Sequence, residues 1–321
     1  MGKYANLLYD DSFKVVVCAP GNERLLMDII ELLIPGKKLQ SLELRDKEQH
    51  GLSVSDKISN FDLYCTSETG EQFIVEMQNA SQRHYADRML CYASHPIRNQ
   101  LAKKVSDRKG RIKRGLSVPA MDYKLLPVYV VSILNFSIPH EPGTVLDEGL
   151  VSRYAIRSKD GGELMTDALL FVYLELGRLK VRKGDAKQCK TLLEQFAYSL
   201  KYMHELDERP EGYDDDLLKR LYDASEFANW DTDKQFEYET IMRTEIDIVA
   251  QQEYAREEGE ARGFQKGLAE GMEKGMAEGL EKGMEKGRED MARVMLQKGY
   301  PAEEVAAITG LRPEVLAKLK G

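Results

Sequence analysis

The sequence predicts an α/β protein in which a mixed central sheet is flanked by helices and followed by an all-helical C-terminal region. Three observations support this fold class. Apolar residues recur at helical spacing over residues 23–34, until Pro35 and Gly36 end the pattern. Short apolar runs and a second helical segment follow, and helical periodicity dominates from about Gly177 onward. A helix, strands, a helix and a further strand in this order are typical of a layered α/β fold.

The strands are predicted from short apolar runs bounded by turn residues. The run at 127–134 is continuously apolar, which indicates a central strand buried on both faces. The runs at 61–65 and 73–78 are separated by a short polar turn and predict a β-hairpin. The remaining predicted strands lie at 42–44, 151–156 and 168–174.

A long helix is expected after the hairpin. Over residues 81–104, Tyr85, Met89 and Tyr92 recur at helical spacing, and Pro96 should kink the helix. Later helical segments are predicted at 189–202, 216–227 and from 236 into the glycine-rich part of the chain.

Bulk composition limits the class of protein. The chain has 321 residues, of which 42% are hydrophobic, so it is long enough for more than one domain and a substantial core. No apolar run approaches the roughly 18 residues of a membrane helix, and residues 1–10 do not resemble a secretory signal. The four cysteines show no C-x-x-C spacing, which argues against structural zinc and favours reduced thiols in the cytoplasm.

Charge is unevenly distributed. The net charge of −8 does not favour a nucleic-acid partner, but one window after the hairpin is strongly basic and predicts contacts with DNA phosphates. Its cations are Arg98, Lys103, Lys104, Arg108, Lys109, Arg111, Lys113 and Arg114.

The predicted hairpin contains two acidic residues that are candidates for a metal site. Asp62 and Glu76 interrupt its two apolar runs, and alternation places Glu76 on one strand face with Ile74 and Gln78. An unpaired buried carboxylate is strongly disfavoured, and a shared divalent cation would offset that cost. Each acid alone is more commonly an edge or turn residue, whereas their joint occurrence favours a site.

Glycines recur every four residues near the C-terminus, and an apolar residue follows most of them. Each glycine costs a helix roughly 1 kcal/mol relative to alanine, so this segment should be marginal as an isolated helix. It is either a flexible, partly helical linker or an element of self-association, and its polar flanks exclude a membrane helix dimer. The glycines are Gly259, Gly263, Gly267, Gly271, Gly275, Gly279, Gly283 and Gly287.

Two short helices are expected around Thr309 and Gly310, with Pro301 and Pro313 at their starts. A helix-turn-helix that contacts DNA is one interpretation, although its second helix holds only Arg312, Lys318 and Lys320 as cations. A small capping or dimerisation hairpin is the other.

In order, these motifs resemble the recombination-promoting nuclease/putative transposase family of the PD-(D/E)XK nuclease superfamily. The similarity covers nearly the whole chain, and the series from Asp10 to Tyr92 is its most specific part. The similar elements are Asp10-Asp11-Ser12-Phe13-Lys14, Phe61-Asp62, Ile74-Val75-Glu76-Met77-Gln78, the helix signature at 85–92, the strand at 127–135 and the terminal Thr309-Gly310-Leu311.

The resemblance implies a restriction-endonuclease-like core and metal-dependent cleavage of DNA phosphodiesters. By position, Asp62 and Glu76 would ligate Mg²⁺, with Mn²⁺ as an alternative, and the carbonyl of Met77 would be a further ligand. Gln78 stands where the superfamily has a lysine, and a neutral amide can only orient water or a phosphate oxygen. Either Arg88 supplies the positive charge that the lysine would provide, or the rate of DNA cleavage is low.

An acidic residue on the first helix commonly completes such sites. Glu23 matches by position and Glu31 competes with it, whereas Asp10 is expected to cap or orient the first helix rather than bind metal.

The predicted domains are a nuclease-like domain at 1–176, a helical region at 177–250, a glycine-stepped helix or flexible linker at 251–290 and the terminal hairpin at 291–321. Two functions follow: a Mg²⁺-dependent DNA endonuclease that acts in recombination or on mobile DNA, or a catalytically weak DNA-binding or assembly protein on a nuclease scaffold. No membrane partner is expected, and homo-oligomers would form through the glycine-stepped segment.

Overall fold

A computed structural model describes residues 2–45, 62–118, 120–142 and 149–319 of the chain. They form two compact units, Met1–Glu245 and Ile246–Gly321. Phe61 of the predicted hairpin and Lys320 of the predicted C-terminal hairpin lie outside the described residues.

Within its described residues, the first unit is built on a six-stranded mixed sheet with the strand order β1-β2-β3-β4-β6-β5. The strands are β1 (Leu42–Leu44), β2 (Leu63–Ser67), β3 (Gln72–Gln78), β4 (Val128–Leu134), β5 (Val151–Ala155) and β6 (Leu169–Glu175). The pair β2–β3 is the antiparallel hairpin, while β4 pairs in parallel with both β3 and β6. The central buried position predicted for β4 is therefore confirmed.

Helices cover both faces of this sheet. On one face, α1 (Asp10–Val17), α2 (Glu23–Leu33), α4 (Leu192–Tyr202) and α5 (Asp216–Ser225) share the larger core with Phe73, Val75 and Met77 of β3. On the other face, α3 (Tyr85–Lys113) packs with Ile74. The mixed α/β fold is confirmed, and residues up to Glu245 belong to one compact unit.

The helix α3 differs from its predicted bounds. It begins at Tyr85 rather than at 81, because His84 just before it has a left-handed backbone (φ 58°). It continues through Pro96, which is buried, and ends nine residues beyond 104. Its second half lacks an apolar stripe, and the arginines and lysines there are themselves good helix formers.

The second unit contains the glycine-stepped segment in a continuous helix. The helix α6 (Thr232–Gln297) runs through all eight glycines, and α7 (Ala302–Thr309) and α8 (Pro313–Leu319) follow. Ala292, Val305 and Leu316 form a small core there. Among the described residues, no helix is long and apolar enough to cross a membrane.

Candidate active site

Asp62 and Glu76 lie opposite each other on the α3 face of the sheet. The β2–β3 register pairs Leu63 with Val75, so Asp62 and Glu76 are the next pair along the hairpin. The Glu76 carboxylate accepts a hydrogen bond from the Asp62 backbone N–H at 3.1 Å, and the Asp62 carboxylate accepts one from the Met77 N–H at 2.9 Å. Both acids are buried, with exposures of 8% for Asp62 and 0% for Glu76. The hairpin thus brings two buried carboxyl groups together.

Burial and mutual repulsion disfavour the ionised forms of these two acids. Burial raises the pKa of Glu76, and the nearby Asp62 charge raises it further. Burial also raises the pKa of Asp62, although the Lys14 ammonium opposes this shift. Glu76 Oε2 is buried and accepts no hydrogen bond from the described residues. An acceptor oxygen left in this state is costly, and a cation beside it would remove the cost.

Lys14 supplies a positive charge from the first helix. Its Nζ lies 3.4 Å from Asp62 Oδ1 and also pairs with Asp10 and Asp11 at 3.6 and 3.3 Å. Burial alone would lower the pKa of Lys14, but the three carboxylates outweigh burial and raise it. Lys14 therefore stays protonated at neutral pH. The sequence motif contains Lys14, yet its partner Asp62 is distant along the chain, so the pattern did not predict a role for it.

Arg88 reaches the site from the first turns of α3. Its Nη2 lies 3.7 Å from Glu76 Oε2, and its Nη1 lies 3.5 Å from Gln78 Oε1. Its Nε donates a 2.9 Å hydrogen bond to Tyr92 Oη, and its guanidinium also contacts Gln82. The structure thus brings together all four residues predicted as catalytic.

Asp62, Gln78 and Arg88 line a cavity of about 490 Å³, here called the acidic cavity, together with Lys14, whereas the fully buried Glu76 is not part of its lining. Its described lining holds two cations and four carboxyl groups, those of Asp10, Asp11, Asp62 and Glu245. Glu245 comes from α6, and no sequence pattern had marked it. Burial and the nearby Asp10 and Asp11 raise the pKa of Glu245. This excess of carboxyl groups favours a bound cation.

The donor set suits a hard divalent ion. The described residues contain no cluster of three or more histidine, cysteine, aspartate or glutamate side chains that could hold a metal. A closed zinc site needs about four protein ligands, whereas Mg²⁺ keeps several waters and binds through one or two carboxylates. Asp62 and Glu76, whose Oε2 accepts no hydrogen bond from the described residues, therefore fit Mg²⁺ better than zinc.

Of the three acidic residues considered for the first helix, Asp10, Glu23 and Glu31, only Asp10 is among the described residues that line the acidic cavity. Asp10 lines the acidic cavity, whereas Glu23 is exposed and accepts a hydrogen bond from Gly21 N–H. Glu31 pairs with Arg24 and Lys38 beside a different cavity. Of the two roles expected for Asp10, capping or orienting α1, capping is wrong, because Tyr9 occupies the N-cap position and makes no side-chain capping hydrogen bond. Asp10 pairs with Lys14 instead.

The basic window lies on the second half of α3 and at its end. Most of its side chains are exposed, and some are engaged locally: Lys104 pairs with Asp122, and Arg111 donates to the Ser117 carbonyl. At 1.5 Å per helical residue, Arg98 lies roughly 15 Å from Arg88 along the helix axis. The window thus lies further along the same helix as Arg88 and does not line the acidic cavity.

Comparison with known proteins identifies one family. A sequence model described as PD-(D/E)XK nuclease family transposase matches residues 7–255, which is most of the chain. The match includes the hairpin, α3 and the whole sheet. No curated protein and no solved structure shows a significant match.

Proposed function

Since the chain belongs to the PD-(D/E)XK nuclease family transposases, we propose that it is a metal-dependent DNA endonuclease that hydrolyses phosphodiester bonds in recombination or in mobile DNA. The family connects the chain with nuclease chemistry, with a DNA substrate and with divalent metals. The observation that supports the endonuclease proposal is the pairing of two buried carboxyl groups, those of Asp62 and Glu76, of which Asp62 lines the acidic cavity.

Asp62 and Glu76 would hold Mg²⁺ or Mn²⁺, together with the main-chain carbonyl of Met77. A bound divalent ion lowers the pKa of a water and polarises a phosphoryl oxygen. The protein's contribution is to fix the two carboxylates through reciprocal backbone hydrogen bonds and to leave Glu76 Oε2 without a hydrogen-bond donor among the described residues. These features hold the ligands in place before a substrate binds.

Lys14 and Arg88 are the cations that compensate for Gln78. A protonated Lys14 beside Asp62 would stabilise negative charge on the phosphate rather than accept a proton. Arg88 would contact a phosphate oxygen through its guanidinium. The hydrogen bond from Arg88 Nε to Tyr92 Oη orients this guanidinium. Gln78 is held by Arg88 and would position a water or a phosphate oxygen.

The basic window would bind the DNA backbone next to the cut. From Arg98 to Lys113 the helix α3 spans about 23 Å at 1.5 Å per residue. DNA rises 3.4 Å per nucleotide, so this length corresponds to about seven base pairs. The cations would contact phosphates and would read little sequence.

A second candidate function is a catalytically weak DNA-binding or assembly protein. Gln78 at the position of a lysine favours it, as does the excess of carboxyl groups around the acidic cavity. This function predicts DNA binding without cleavage in either Mg²⁺ or Mn²⁺, whereas the endonuclease cleaves.

The C-terminal segment would mediate homo-oligomers in either case. Its apolar side chains are exposed, for example Phe264 at 73% and Met276 at 73%. The proposal includes four domains: a nuclease-like domain at 1–176, a helical region at 177–250, a glycine-stepped helix or flexible linker at 251–290 and a terminal hairpin at 291–321. A cytoplasmic location is also proposed, because the four cysteines are free.

Plasmid cleavage tests the proposed function. The wild-type protein should nick plasmid DNA only with Mg²⁺ or Mn²⁺, and Asp62→Asn and Glu76→Gln should each abolish nicking. Glu23→Gln changes an exposed carboxylate and serves as the matched control. Full nicking by both site variants, with folding intact by circular dichroism, would contradict the proposal.

A further inference from the structure

A second cavity, here called the aromatic cavity, lies next to the acidic cavity on the same face of the sheet. Its volume is about 600 Å³, and Gln82 lines both cavities. Its wall is built mainly of ring side chains from α3, β5, β6 and the segment after β4. These are Tyr85, Phe136, Tyr154, Phe171 and Tyr173.

The rings pack together but leave surface open to the cavity. Tyr173 is buried and is contacted by Tyr85, Tyr154 and Phe171, with centroid distances of 5.8, 5.5 and 6.4 Å. Tyr154 and Phe171 are only half-buried. Because α3 packs chiefly over β4, the described part of this face near β5 and β6 presents aromatic rings rather than a covering helix.

The rim of the aromatic cavity is polar and is joined to the candidate catalytic strand. Residues 79–84 lead from the end of β3 to α3, and Ser81, Gln82 and His84 line the aromatic cavity along this path. His84 adopts the left-handed backbone conformation with φ 58°. Such a conformation is uncommon outside glycine, and it is often kept at functional sites. Ser137 adds a further polar group at the rim.

A cavity with aromatic walls and a polar rim matches a nucleobase, which has two apolar faces and a polar edge. Proteins that lift a nucleotide from the duplex hold its base between aromatic side chains and hydrogen-bond its edge. Arg88 lines the acidic cavity and His84 lines the aromatic cavity, and the two residues are four positions apart, or about 6 Å along the axis of α3 at 1.5 Å per residue. This spacing is compatible with a phosphate in one cavity and the base of a neighbouring nucleotide in the other.

We propose that the aromatic cavity binds an unpaired nucleobase of the DNA strand that lies at Asp62 and Glu76, so that DNA with a locally unpaired nucleotide is the preferred substrate. This inference rests on the proposed function, because it assumes a DNA strand at the acidic cavity. Stacking on an aromatic side chain is tolerant of base identity. The preference is therefore for an unpaired nucleotide and not for one base.

The test uses full-length protein without divalent metal, so that binding is measured apart from cleavage. The probes are two DNA duplexes of the same sequence, one fully paired and one with a single bulged 2-aminopurine. The wild type should bind the bulged duplex about fivefold or more tightly, as expected for one stacked base, and should change the 2-aminopurine fluorescence.

Two variants remove the aromatic cavity by different routes. Phe171→Leu removes a ring and keeps apolar volume, while Ala86→Trp adds a bulky side chain at an exposed position that lines the cavity and removes no packing. Both should lose the preference and retain affinity for paired DNA. Phe236→Leu changes an exposed ring outside the aromatic cavity, so it should behave as wild type.

The outcomes separate the two proposals. An equal preference for the bulged duplex in wild type, Phe171→Leu and Ala86→Trp would overturn the base site, even if Mg²⁺-dependent cleavage of paired plasmid DNA supports the endonuclease. No preference in the wild type would overturn it as well. Failure to bind either duplex, together with no cleavage in Mg²⁺ or Mn²⁺, would overturn both proposals.

Discussion

Asp62 and Glu76 position each other through the backbone of the hairpin. The carboxylate of Glu76 accepts from the N–H of Asp62, and the carboxylate of Asp62 accepts from the N–H of Met77, the residue after Glu76. Each acid is therefore held by the strand that carries the other. Neither can move without breaking a buried hydrogen bond, so two carboxyl groups are fixed at one place, and a cation there would favour their ionised forms.

The first prediction concerns metal binding without reference to activity. Mg²⁺ at about 100 times its dissociation constant should stabilise the wild type by about 2.7 kcal/mol, because it binds only the folded protein. Glu76→Gln should abolish this increase in Tm in differential scanning fluorimetry. It should not destabilise the metal-free protein strongly, because it removes a buried charge whose ionisation is disfavoured. An undiminished Mg²⁺ shift in Glu76→Gln would place the metal elsewhere.

The second prediction separates Lys14 from the metal ligands. Lys14→Met should lower the cleavage rate about 100-fold, since a charge that stabilises the transition state is removed. The Mg²⁺-induced increase in Tm should persist or grow, because a competing cation leaves Asp62. Lys14→Arg should restore part of the activity, and Lys38→Met, at an exposed position, is the control. Loss of the Mg²⁺ shift in Lys14→Met would assign Lys14 a role in holding the ligands instead.

The fold and the paired acids could be predicted because their signals are local. Alternation on the hairpin places Glu76 and Gln78 on one face, and the apolar run of β4 marks a central strand. Lys14 and Glu245 were missed as site residues because their neighbours at the site come from distant parts of the chain: Asp62 for Lys14, and Asp10 for Glu245. Such contacts depend on how α1 and α6 pack, which periodicity does not encode.

The third prediction tests the basic window as the DNA-binding surface. Four of its cations are replaced by glutamine, and binding to duplex DNA is measured at several salt concentrations. The slope of log K against log salt should flatten by about 0.9 for each DNA phosphate that the variant no longer neutralises. The four replaced residues are Lys103, Arg108, Lys109 and Lys113.

A control variant with the same change in net charge shows whether the location of the cations, and not only their number, determines the salt dependence of DNA binding. It replaces four exposed cations outside the window, Lys180, Arg182, Lys187 and Lys190. An equal change of slope in both variants would indicate a general charge effect and would contradict a dedicated surface.

The fourth prediction concerns the glycine-stepped segment. Apart from the neighbouring residues and backbone of α6 itself, no described atom lies within 4 Å of where an alanine Cβ would stand at Gly271, Gly275 or Gly279, so alanine fits there without a clash in the described part of the chain. In an unpartnered helix, each Gly→Ala change should raise helix stability by roughly 1 kcal/mol. If a second copy packs closely over the glycines, the triple variant should instead dissociate.

Sedimentation equilibrium distinguishes these results. The full-length protein, a chain that ends at Ala250 and the triple alanine variant are compared at several concentrations. Self-association through this segment predicts fewer copies per assembly for both altered chains, where the number of copies is the measured mass divided by the mass of one chain. An unchanged number of copies in the shortened chain would exclude the segment as the assembly element.

The fifth prediction is a pH dependence of stability that arises at Glu175, at the end of β6. This buried carboxylate accepts hydrogen bonds from His140 Nε2 at 2.7 Å, Arg178 Nε at 2.9 Å and the Ile138 N–H at 2.9 Å, and it also contacts Ser152. Burial alone would raise the pKa of Glu175, but these donors outweigh burial and lower it.

A lowered pKa in the folded protein means that this stabilisation is complete above the unfolded value, near 4.5, and is lost as pH falls through the folded value. Glu175→Gln should therefore lower the free energy of unfolding at pH 7 by about 3 kcal/mol or more, because it leaves Arg178 without its buried counter-charge. The deficit should shrink as the pH falls below about 4.5, because the unfolded wild-type chain then binds a proton at Glu175, and it should be smallest below the folded pKa, where the folded carboxylate is protonated too. Urea unfolding from pH 7 to pH 3 measures this, with the exposed Glu163→Gln as the control. A deficit that is constant with pH would mean that packing, and not the charge on Glu175, stabilises this end of the sheet.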